Sequence, residues 1–319
     1  MHGRVKERTP EEKQEAVRKE KERKLLGFTT LWKDIVDRRA EGDRSSETLM
    51  KTNQLLAKCS DLYTLWNYRR EILLADLTDA ESEEGKRDGI LRIELSVTES
   101  CLALDFKSYS TWYHRKWTLE QMQKADWQRE LDLTSQLFRL DARNFHCWNY
   151  RRFIVERGHI PLSSELAFST KLIADDPSNY SAWHYRTTLI PLLFPTVPSP
   201  EHQTQIRTEL ALVVTAVNVK ANDQGIWFYT QFLVEQIQKG GYTNLLDELK
   251  EEVKKLYEEG DLTAEESIAV LHGYVRLLLL DPIQNLKESD KKFVDDSIDK
   301  LCSLDPLRKG YYQSLRDAL

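Results

Sequence analysis

The sequence predicts an all-α protein, a right-handed α-α superhelix (solenoid) of stacked helical hairpins with a crescent shape. Two observations indicate this fold. The first is a Trp followed three residues later by an Arg, which recurs as Trp66–Arg69, Trp112–Arg115, Trp148–Arg151 and Trp183–Arg186, with Trp227 in a fifth copy. The second is the spacing of these Trp residues, which lie 46, 36, 35 and 44 positions apart. A period of ~35 residues is typical of hairpins that stack to bury their apolar faces.

The segment before the repeats predicts a charged helix over residues 10–25. Glu15 and Lys19 are four positions apart, as are Glu20 and Lys24. Such pairs lie on one face of a helix and stabilise it. We expect this helix to stand apart from the core of the repeats.

Capping residues mark several helix starts. The stretches that begin at Thr9, Thr78 and Thr263 place a Thr three residues before a Glu, which is the pattern of a capping box. In the third repeat, Asp126 is a candidate N-cap. The apolar stripe of the helix that follows comprises Trp127, Leu131, Thr134 and Phe138. We expect the second helix of this repeat to stop at Gly158.

The later copies are irregular. The fifth has Thr230 where an Arg is expected, and the sixth is reduced to Tyr312, seven residues after Asp305. The insertions "ESEEGKRDG" and "PLLFPTVPSP" lengthen two gaps, but the repeat resumes after each. We therefore expect a single helical-repeat domain over residues 1–319. Its N-terminal segment and charged helix cover about 1–40, and its repeats run from about 45 to 319.

Composition indicates a soluble globular protein in a reducing compartment. Charged residues make up 31% of the chain and the formal net charge is −6, so no basic field favours nucleic acid. No apolar stretch approaches the ~20 residues of a membrane span, and the charged N-terminus is no secretory signal. The four Cys are scattered without a CxxC pair, which favours reduced thiols and a cytoplasmic location.

The Trp–Arg pair itself is expected to pack neighbouring repeats together. Residues three apart share a helix face, so the indole and the guanidinium enter the same seam. A buried Arg stays charged and needs a carboxylate or several carbonyl oxygens. The candidate partners are the Asp residues that close the preceding helices, namely Asp105, Asp141 and Asp176.

The stretches "KSYSTWYHR", "RNFHCWNYR" and "SNYSAWHYR" resemble the repeats of protein prenyltransferase α subunits, and the resemblance extends from about residue 45 to residue 319. Within that family, the start "MHGR" and the last two stretches are more similar to α subunits of the Rab geranylgeranyltransferase type (type II) than to those of the CaaX enzymes. The immunoglobulin-like and leucine-rich modules of animal members have no counterpart in this sequence.

The resemblance implies a heterodimer in which this chain, catalytically silent alone, embraces a β subunit that holds zinc and the isoprenoid. The donor it implies is geranylgeranyl diphosphate. The acceptors are C-terminal cysteines of a Rab GTPase presented by an escort protein. The chain itself has no HExxH, no His/Cys cluster with ligand spacing and no Gly-rich phosphate loop. The alternatives are a CaaX-type α subunit (farnesyl or geranylgeranyl) and a tetratricopeptide-like scaffold without enzymatic role, although the latter places its signature Trp differently.

Family resemblance also implies site residues. A Lys and a Tyr just before the Trp of the second repeat face the allylic diphosphate in the family, and they match Lys107 and Tyr109. His146 matches a His near the diphosphate, whereas Phe145 replaces a Tyr, so one hydroxyl contact is missing. Without the resemblance, Lys107 would be a solvated turn lysine and His146 a packing residue. His2 is a candidate transient ligand of the β-subunit zinc; the alternative is a disordered tail.

Overall fold

The structure, a computed structural model, describes residues 11–80, 85–281 and 285–316, without the side chains of 11–13. These residues form fifteen α-helices and no strand, which confirms the predicted all-α class. The helices are α1 (Glu11–Ala40), α2 (Ser46–Leu56), α3 (Tyr63–Asp79), α4 (Lys86–Leu104), α5 (Tyr109–Gln121), α6 (Trp127–Leu140), α7 (Phe145–Arg157), α8 (Leu162–Asp175), α9 (Tyr180–Leu193), α10 (Pro200–Val219), α11 (Gln224–Gly240), α12 (Thr243–Glu259), α13 (Ala264–Leu278), α14 (Glu288–Leu304) and α15 (Lys309–Arg316).

Consecutive helices pack in pairs, as the two helices of a repeat must. The most extensive pairs are α4 with α5, α8 with α9, α10 with α11, α12 with α13, and α14 with α15. The helices fall into two compact units. One comprises the described residues up to Arg139 together with Asn144–Ile154, and the other comprises Leu140–Arg143 and the described residues from Val155 onward. The single-domain organisation stays a prediction.

The predicted charged helix is the first part of the longer helix α1. Its i, i+4 pairs form as expected, for example with Lys19 Nζ 3.6 Å from Glu15 Oε1. The second half of α1 enters the core, where Ile35 is buried against Leu55 and Leu65. The expectation of a helix apart from the core is therefore correct only for the first half, because the buried apolar residues of α1 lie in the second.

Capping patterns identify some helix starts and miss others. Thr263 caps α13: its Oγ1 accepts a hydrogen bond from the Glu266 N–H, and the Glu266 carboxylate accepts one from the Thr263 N–H. The start predicted at Thr78 is wrong. Thr78 lies in the last turn of α3, and the buried Leu77 holds that turn in the core. The start predicted at Thr9 lies outside the described residues.

The third repeat follows the prediction at the start of α6 and at the end of α7. Asp126 Oδ1 accepts a hydrogen bond from the Arg129 N–H at 3.0 Å, which caps α6. Helix α7 ends at Arg157, so it stops at Gly158 as predicted. The residue with left-handed backbone is the next one, His159, with φ of 51°.

The Trp residues of the repeats join neighbouring hairpins, as predicted. Their indole N–H groups donate to the carbonyl oxygen six residues earlier, in the pairs Trp66–Ser60 (2.7 Å), Trp112–Phe106 (2.9 Å), Trp183–Pro177 (2.8 Å) and Trp227–Ala221 (2.7 Å). Their rings also face an aromatic residue of the next repeat, in the pairs Trp66–His114 (4.5 Å), Trp112–Tyr150 (4.9 Å) and Trp183–Tyr229 (4.8 Å between centroids).

The Arg residues of the repeats are buried, but the carboxylates that Arg115 and Arg186 bind are not the predicted Asp residues. Arg115 Nη1 donates to the Leu95 carbonyl and to Thr98 Oγ1 on α4, both at 2.8 Å. Its Nε and Nη2 donate to the Glu130 carboxylate on α6 at 2.8 and 2.7 Å. The guanidinium thus bridges the first helix of its own repeat to the first helix of the next. The corresponding pairs are Arg69–Glu94 and Arg186–Glu209.

Asp105, Asp141 and Asp176, the predicted partners, instead shape the turns between helices. Each accepts a hydrogen bond at 3.0 Å from the backbone N–H two residues later. An Asp has a short side chain, and a carboxylate that accepts a hydrogen bond from its own turn is held there. The longer Glu side chains of the next helix therefore take the guanidinium.

Candidate functional site

The turn before α5 holds Lys107 on a fixed backbone. Asp105 Oδ1 accepts a hydrogen bond from the Lys107 N–H at 3.0 Å. Ser108 then caps α5, accepting from the Thr111 N–H at 3.3 Å and donating to Asp61 Oδ1 at 2.6 Å. Because Asp61 belongs to the turn before α3, a carboxylate of one repeat fixes the helix start of the next.

The start of α7 is tied to the same turn. The Phe106 carbonyl accepts hydrogen bonds from the Trp112 indole and from Asn144 Nδ2, both at 2.9 Å. Asn144 Oδ1 accepts from the His146 N–H at 3.0 Å and so caps α7. Buried groups of the protein alone thus set the position of His146 relative to Tyr109.

Tyr109, Phe145 and His146 form an aromatic cluster at the starts of α5 and α7. The Tyr109 ring meets the His146 ring edge-on, with centroids 4.0 Å apart and an interplanar angle of 85°. The Phe145 ring lies 3.9 Å from His146 and 5.8 Å from Tyr109. Tyr109 is 64% exposed and Phe145 54%, whereas His146 is 8% exposed. Solvent therefore reaches the phenol and the phenyl ring more than the imidazole.

Charge in this region comes from the lysine and not from the imidazole. Burial lowers the pKa of His146, although the carboxylates of Asp61 and Asp105 oppose the shift. At neutral pH the ring is therefore uncharged and presents one N–H donor and one acceptor. The Lys107 side chain is exposed, with its Nζ 5.6 Å from the centre of the Phe106 ring.

Such a set of groups can bind an anion with several oxygens. The Lys107 ammonium, the Tyr109 phenol and the His146 N–H are hydrogen-bond donors, and a charged donor strengthens such a bond. The structure brings Tyr109 and His146 into contact, and Lys107 precedes Tyr109 by two residues in the same turn. Phe145 adds no donor.

Sequence reasoning missed two residues that position this site, Asp61 and Asn144. Both fix a helix start through a side-chain oxygen. For Asn144 the signal was present in the sequence, since it is a short polar residue just before the helix whose N–H it bonds. Asp61 precedes α3 but bonds the start of α5, a contact that no local pattern predicts.

The irregular copies keep part of the repeat pattern. Trp227 retains its indole bond, whereas Thr230 donates to the Ile226 carbonyl of its own helix at 2.9 Å and bridges no neighbour. Tyr312 is fully buried, and its hydroxyl donates to Asp305 Oδ2 at 2.9 Å. In the incomplete sixth copy, the Asp and the aromatic residue seven positions later are thus in direct contact.

Among the described residues, no group of three or more His, Cys, Asp or Glu side chains could hold a metal ion. No helix there has the length and apolar character needed to cross a membrane. His2 lies outside the described residues, and its contact with zinc stays a prediction.

Comparison with known proteins finds related chains. The protein prenyltransferase alpha subunit repeat matches residues 45–76, 91–122, 127–158 and 162–193. A Dictyostelium discoideum protein named geranylgeranyl transferase type-2 subunit alpha is 35% identical over 319 residues, 99% of each chain. The Homo sapiens protein of that name is 40% identical over 238 residues, 73% of this chain. The chain spans about two fifths (42%) of the length of the mammalian relatives it matches.

One solved structure is similar over most of the chain. It is described as Candida albicans protein geranylgeranyltransferase-I complexed with GGPP, and it matches with a TM-score of 0.69 and 20% identity over 92% of this chain and 91% of that one. At this identity the likeness concerns the fold. Together with the matched repeats, it confirms the predicted solenoid of helical hairpins.

Proposed function

The chain belongs to the family of protein prenyltransferase α subunits, with relatives named geranylgeranyl transferase type-2 subunit alpha, and from this we propose that it is the α subunit of a heterodimeric Rab geranylgeranyltransferase. A zinc-containing β subunit is its partner. The heterodimer transfers geranylgeranyl from geranylgeranyl diphosphate to C-terminal cysteines of a Rab protein that an escort protein presents. The α subunit alone is catalytically silent and acts in the cytoplasm.

The observation that carries the proposal is the donor cluster at the starts of α5 and α7. Lys107 and Tyr109 are exposed, so a partner's substrate can reach them. Tyr109 packs on the buried His146 at 4.0 Å, and that ring is held in turn by the cap of Asn144. An exposed ammonium and phenol on a backbone that is already fixed are suited to an anionic leaving group.

In the transfer, the cysteine sulfur forms a bond to C1 of the geranylgeranyl chain while the bond from C1 to the diphosphate oxygen breaks. The bonding electrons leave with the diphosphate, so negative charge grows on it in the transition state. Lys107 and Tyr109 donate hydrogen bonds to that growing charge, and therefore bind the transition state more tightly than the ground state. His146 remains neutral and donates its ring N–H to the same group.

The metal has a separate role and a separate location. Zinc in the β subunit supplies a thiolate at neutral pH, because a coordinated thiol loses its proton. The described residues of this chain offer no ligand cluster of their own. The contribution of this chain is therefore stabilisation of the leaving group.

Single-turnover kinetics on the purified heterodimer test the role of Lys107. We expect Lys107→Ala to lower the rate of the chemical step by ~10²-fold, the effect of losing one donor to a developing anion. Lys171→Ala, at an exposed position on α8, is the matched control and leaves the rate unchanged. A wild-type rate for Lys107→Ala would remove this residue from the site.

Substrate choice tests the assignment to the Rab type. The heterodimer should modify a Rab protein only when the escort protein is present. Unaided prenylation of a short C-terminal CaaX peptide would indicate a CaaX-type α subunit instead. Failure to form a heterodimer with any prenyltransferase β subunit would favour a tetratricopeptide-like scaffold.

A further inference from the structure

The packing of one repeat on the next changes at α13. The rings of Trp66, Trp112 and Trp183 each face a Tyr or His ring of the following repeat. Trp227 faces Gly273 instead, so closely that a Cβ added to this glycine would lie 2.3 Å from the indole ring. Gly273 therefore stands where the other repeats carry an aromatic side chain, and the Trp227 indole itself occupies the space that a side chain at this position would need.

Beside this close contact lies a cavity of about 70 Å³ between α11 and α13. On the same measure ~10–15 Å³ holds one water molecule, so several carbon atoms of an apolar side chain fit. The indole of Trp227 and the side chains of Val234, Leu277 and Leu280 form its apolar wall. Thr230 also lines it.

A single charge lies at the cavity. Arg276 is exposed, and within the described ranges its guanidinium donates one hydrogen bond, to Gln231 Oε1 at 3.0 Å. An Arg has five N–H donors, so it retains donors for a carboxylate. His272 also lines the cavity, but burial, aided by Arg276 and Arg308, lowers its pKa to about 4 and keeps it neutral at pH 7.

The cavity adjoins a groove of about 570 Å³ that is also lined by Trp227, His272 and Arg276. Phe228, which is 68% exposed, extends the apolar surface of this groove. The two acids that line the groove are Glu265 and Asp305, the latter paired with Arg308 at 2.6 Å. An apolar pocket with an aromatic wall and an arginine has the composition of an interface hot spot.

We propose that this cavity, the Trp227 pocket, receives an apolar side chain of the β subunit, from a segment whose neighbouring carboxylate pairs with Arg276. The inference rests on the proposed function, because the β subunit is the occupant. Charge complementarity selects an acidic segment: among the described residues, the pocket wall presents one guanidinium and no carboxylate. Obligate heterodimers bury ~2,000 Å² or more and concentrate affinity in such anchor pockets, which makes the obligate partner the fitting occupant.

Photocrosslinking in the purified heterodimer identifies the occupant. p-Benzoylphenylalanine replaces Gln231, an exposed residue that lines the pocket, and the same amino acid replaces the exposed Lys292 on α14 as the control. We expect ultraviolet light to join position 231 to a β-subunit segment with an acidic residue beside an apolar one, as mass spectrometry of the adduct would show. An adduct with the Rab or escort protein, with a basic segment, or with no protein at all overturns the proposal.

Charge reversal measures what the pocket contributes to binding. We expect Arg276→Glu to raise the dissociation constant of the heterodimer at least ~10-fold, as loss of a close interfacial charge pair does. Lys292→Glu, with the same charge change, leaves it unaltered. Changing the crosslinked acid of the β subunit to Lys should restore affinity to Arg276→Glu, a rescue that misfolding cannot produce.

The outcomes for the two proposals are distinguishable. If the wild-type chains assemble and prenylate a Rab protein while Arg276→Glu binds as tightly as wild type, the pocket proposal is wrong and the proposed function stands. If the wild-type chains do not assemble, both are wrong.

Discussion

Replacement of Arg115 by Met tests whether the buried guanidiniums hold the repeats together. Arg115 is fully buried and donates two hydrogen bonds to Glu130, one to the Leu95 carbonyl and one to Thr98. Met retains much of the aliphatic stem and removes the charge. Glu130 would then keep one partner, the Tyr150 hydroxyl at 2.7 Å.

The size of the stability loss in Arg115→Met follows from the polar groups that lose their partner. Breaking a buried ion pair by removing one partner costs ~3–5 kcal/mol, because the remaining charge is buried without compensation. The Leu95 carbonyl and Thr98 each lose a donor as well, at ~1 kcal/mol apiece, which the apolar Met partly offsets. We expect a net loss of about 4 kcal/mol in the free energy of opening α4–α6.

Amide hydrogen exchange of peptides from α4 to α6 measures this loss locally, since buried amides exchange through such openings. A change of about 4 kcal/mol accelerates exchange by ~10³-fold, at 1.4 kcal/mol per factor of ten. Arg129→Met is the control: its ion pair with Glu99 is half exposed on both sides and is worth under ~1 kcal/mol.

A second variant shows whether the uncompensated charge causes the loss. In Arg115→Met combined with Glu130→Gln, neither charge of this pair remains buried, so we expect exchange to slow again by ~10-fold or more relative to the single variant. If Arg115→Met behaved like Arg129→Met, or if the double variant exchanged no more slowly than the single one, the bridging role assigned to the guanidinium would be refuted.

Three further predictions concern pH and the catalytic site. Burial would raise the pKa of Glu94, but the Arg69 guanidinium outweighs it and holds the pKa at about 2. The resulting ~3 kcal/mol of stability is present above pH ~4.5 and is lost as pH falls towards 2. In Glu94→Gln, acid unfolding followed by circular dichroism should therefore lose this part of the dependence of stability on pH. Phe145→Tyr restores a phenol and should raise the single-turnover rate up to ~10-fold; an unchanged rate would place this ring away from the diphosphate. We propose that His2 is a transient ligand of the β-subunit zinc, so removal of residues 1–8 should raise basal turnover, and equal or slower turnover would contradict this.

The fold could be predicted because its determinants repeat in the sequence at a nearly constant interval. The partners of the Arg residues could not, because they follow no constant interval. Glu130 lies 15 residues after Arg115, whereas Glu94 lies 25 residues after Arg69. The insertions and turns between helices absorb the difference. A usable signal was nevertheless present: Glu94 and Glu130 each precede a Leu and stand four residues before a Thr.

Local patterns fail where tertiary packing overrides them, and Thr78 is an example. The sequence "TDAE" can cap a helix, but burial of Leu77 in the same turn keeps α3 intact through Thr78. The catalytic candidates show a different limit. Lys107 has the sequence context of any solvated turn lysine, so its predicted role came from the family resemblance, whereas Asp105, which fixes its backbone, carries a local turn signal of its own.

Regular and irregular repeats divide two tasks in this chain. Where the pattern is complete, the guanidinium is buried and binds a carboxylate of the next repeat, as Arg115 binds Glu130. The starts of α5 and α7 are fixed before any substrate binds. A donor on such a backbone needs no reorganisation when charge develops, which is the condition for stabilising a transition state. Where the pattern is irregular, around Trp227 and Gly273, an apolar cavity lies beside the exposed guanidinium of Arg276. We therefore expect the complete repeats to supply the rigid backbone of the proposed site and the irregular repeat to supply the proposed surface for association.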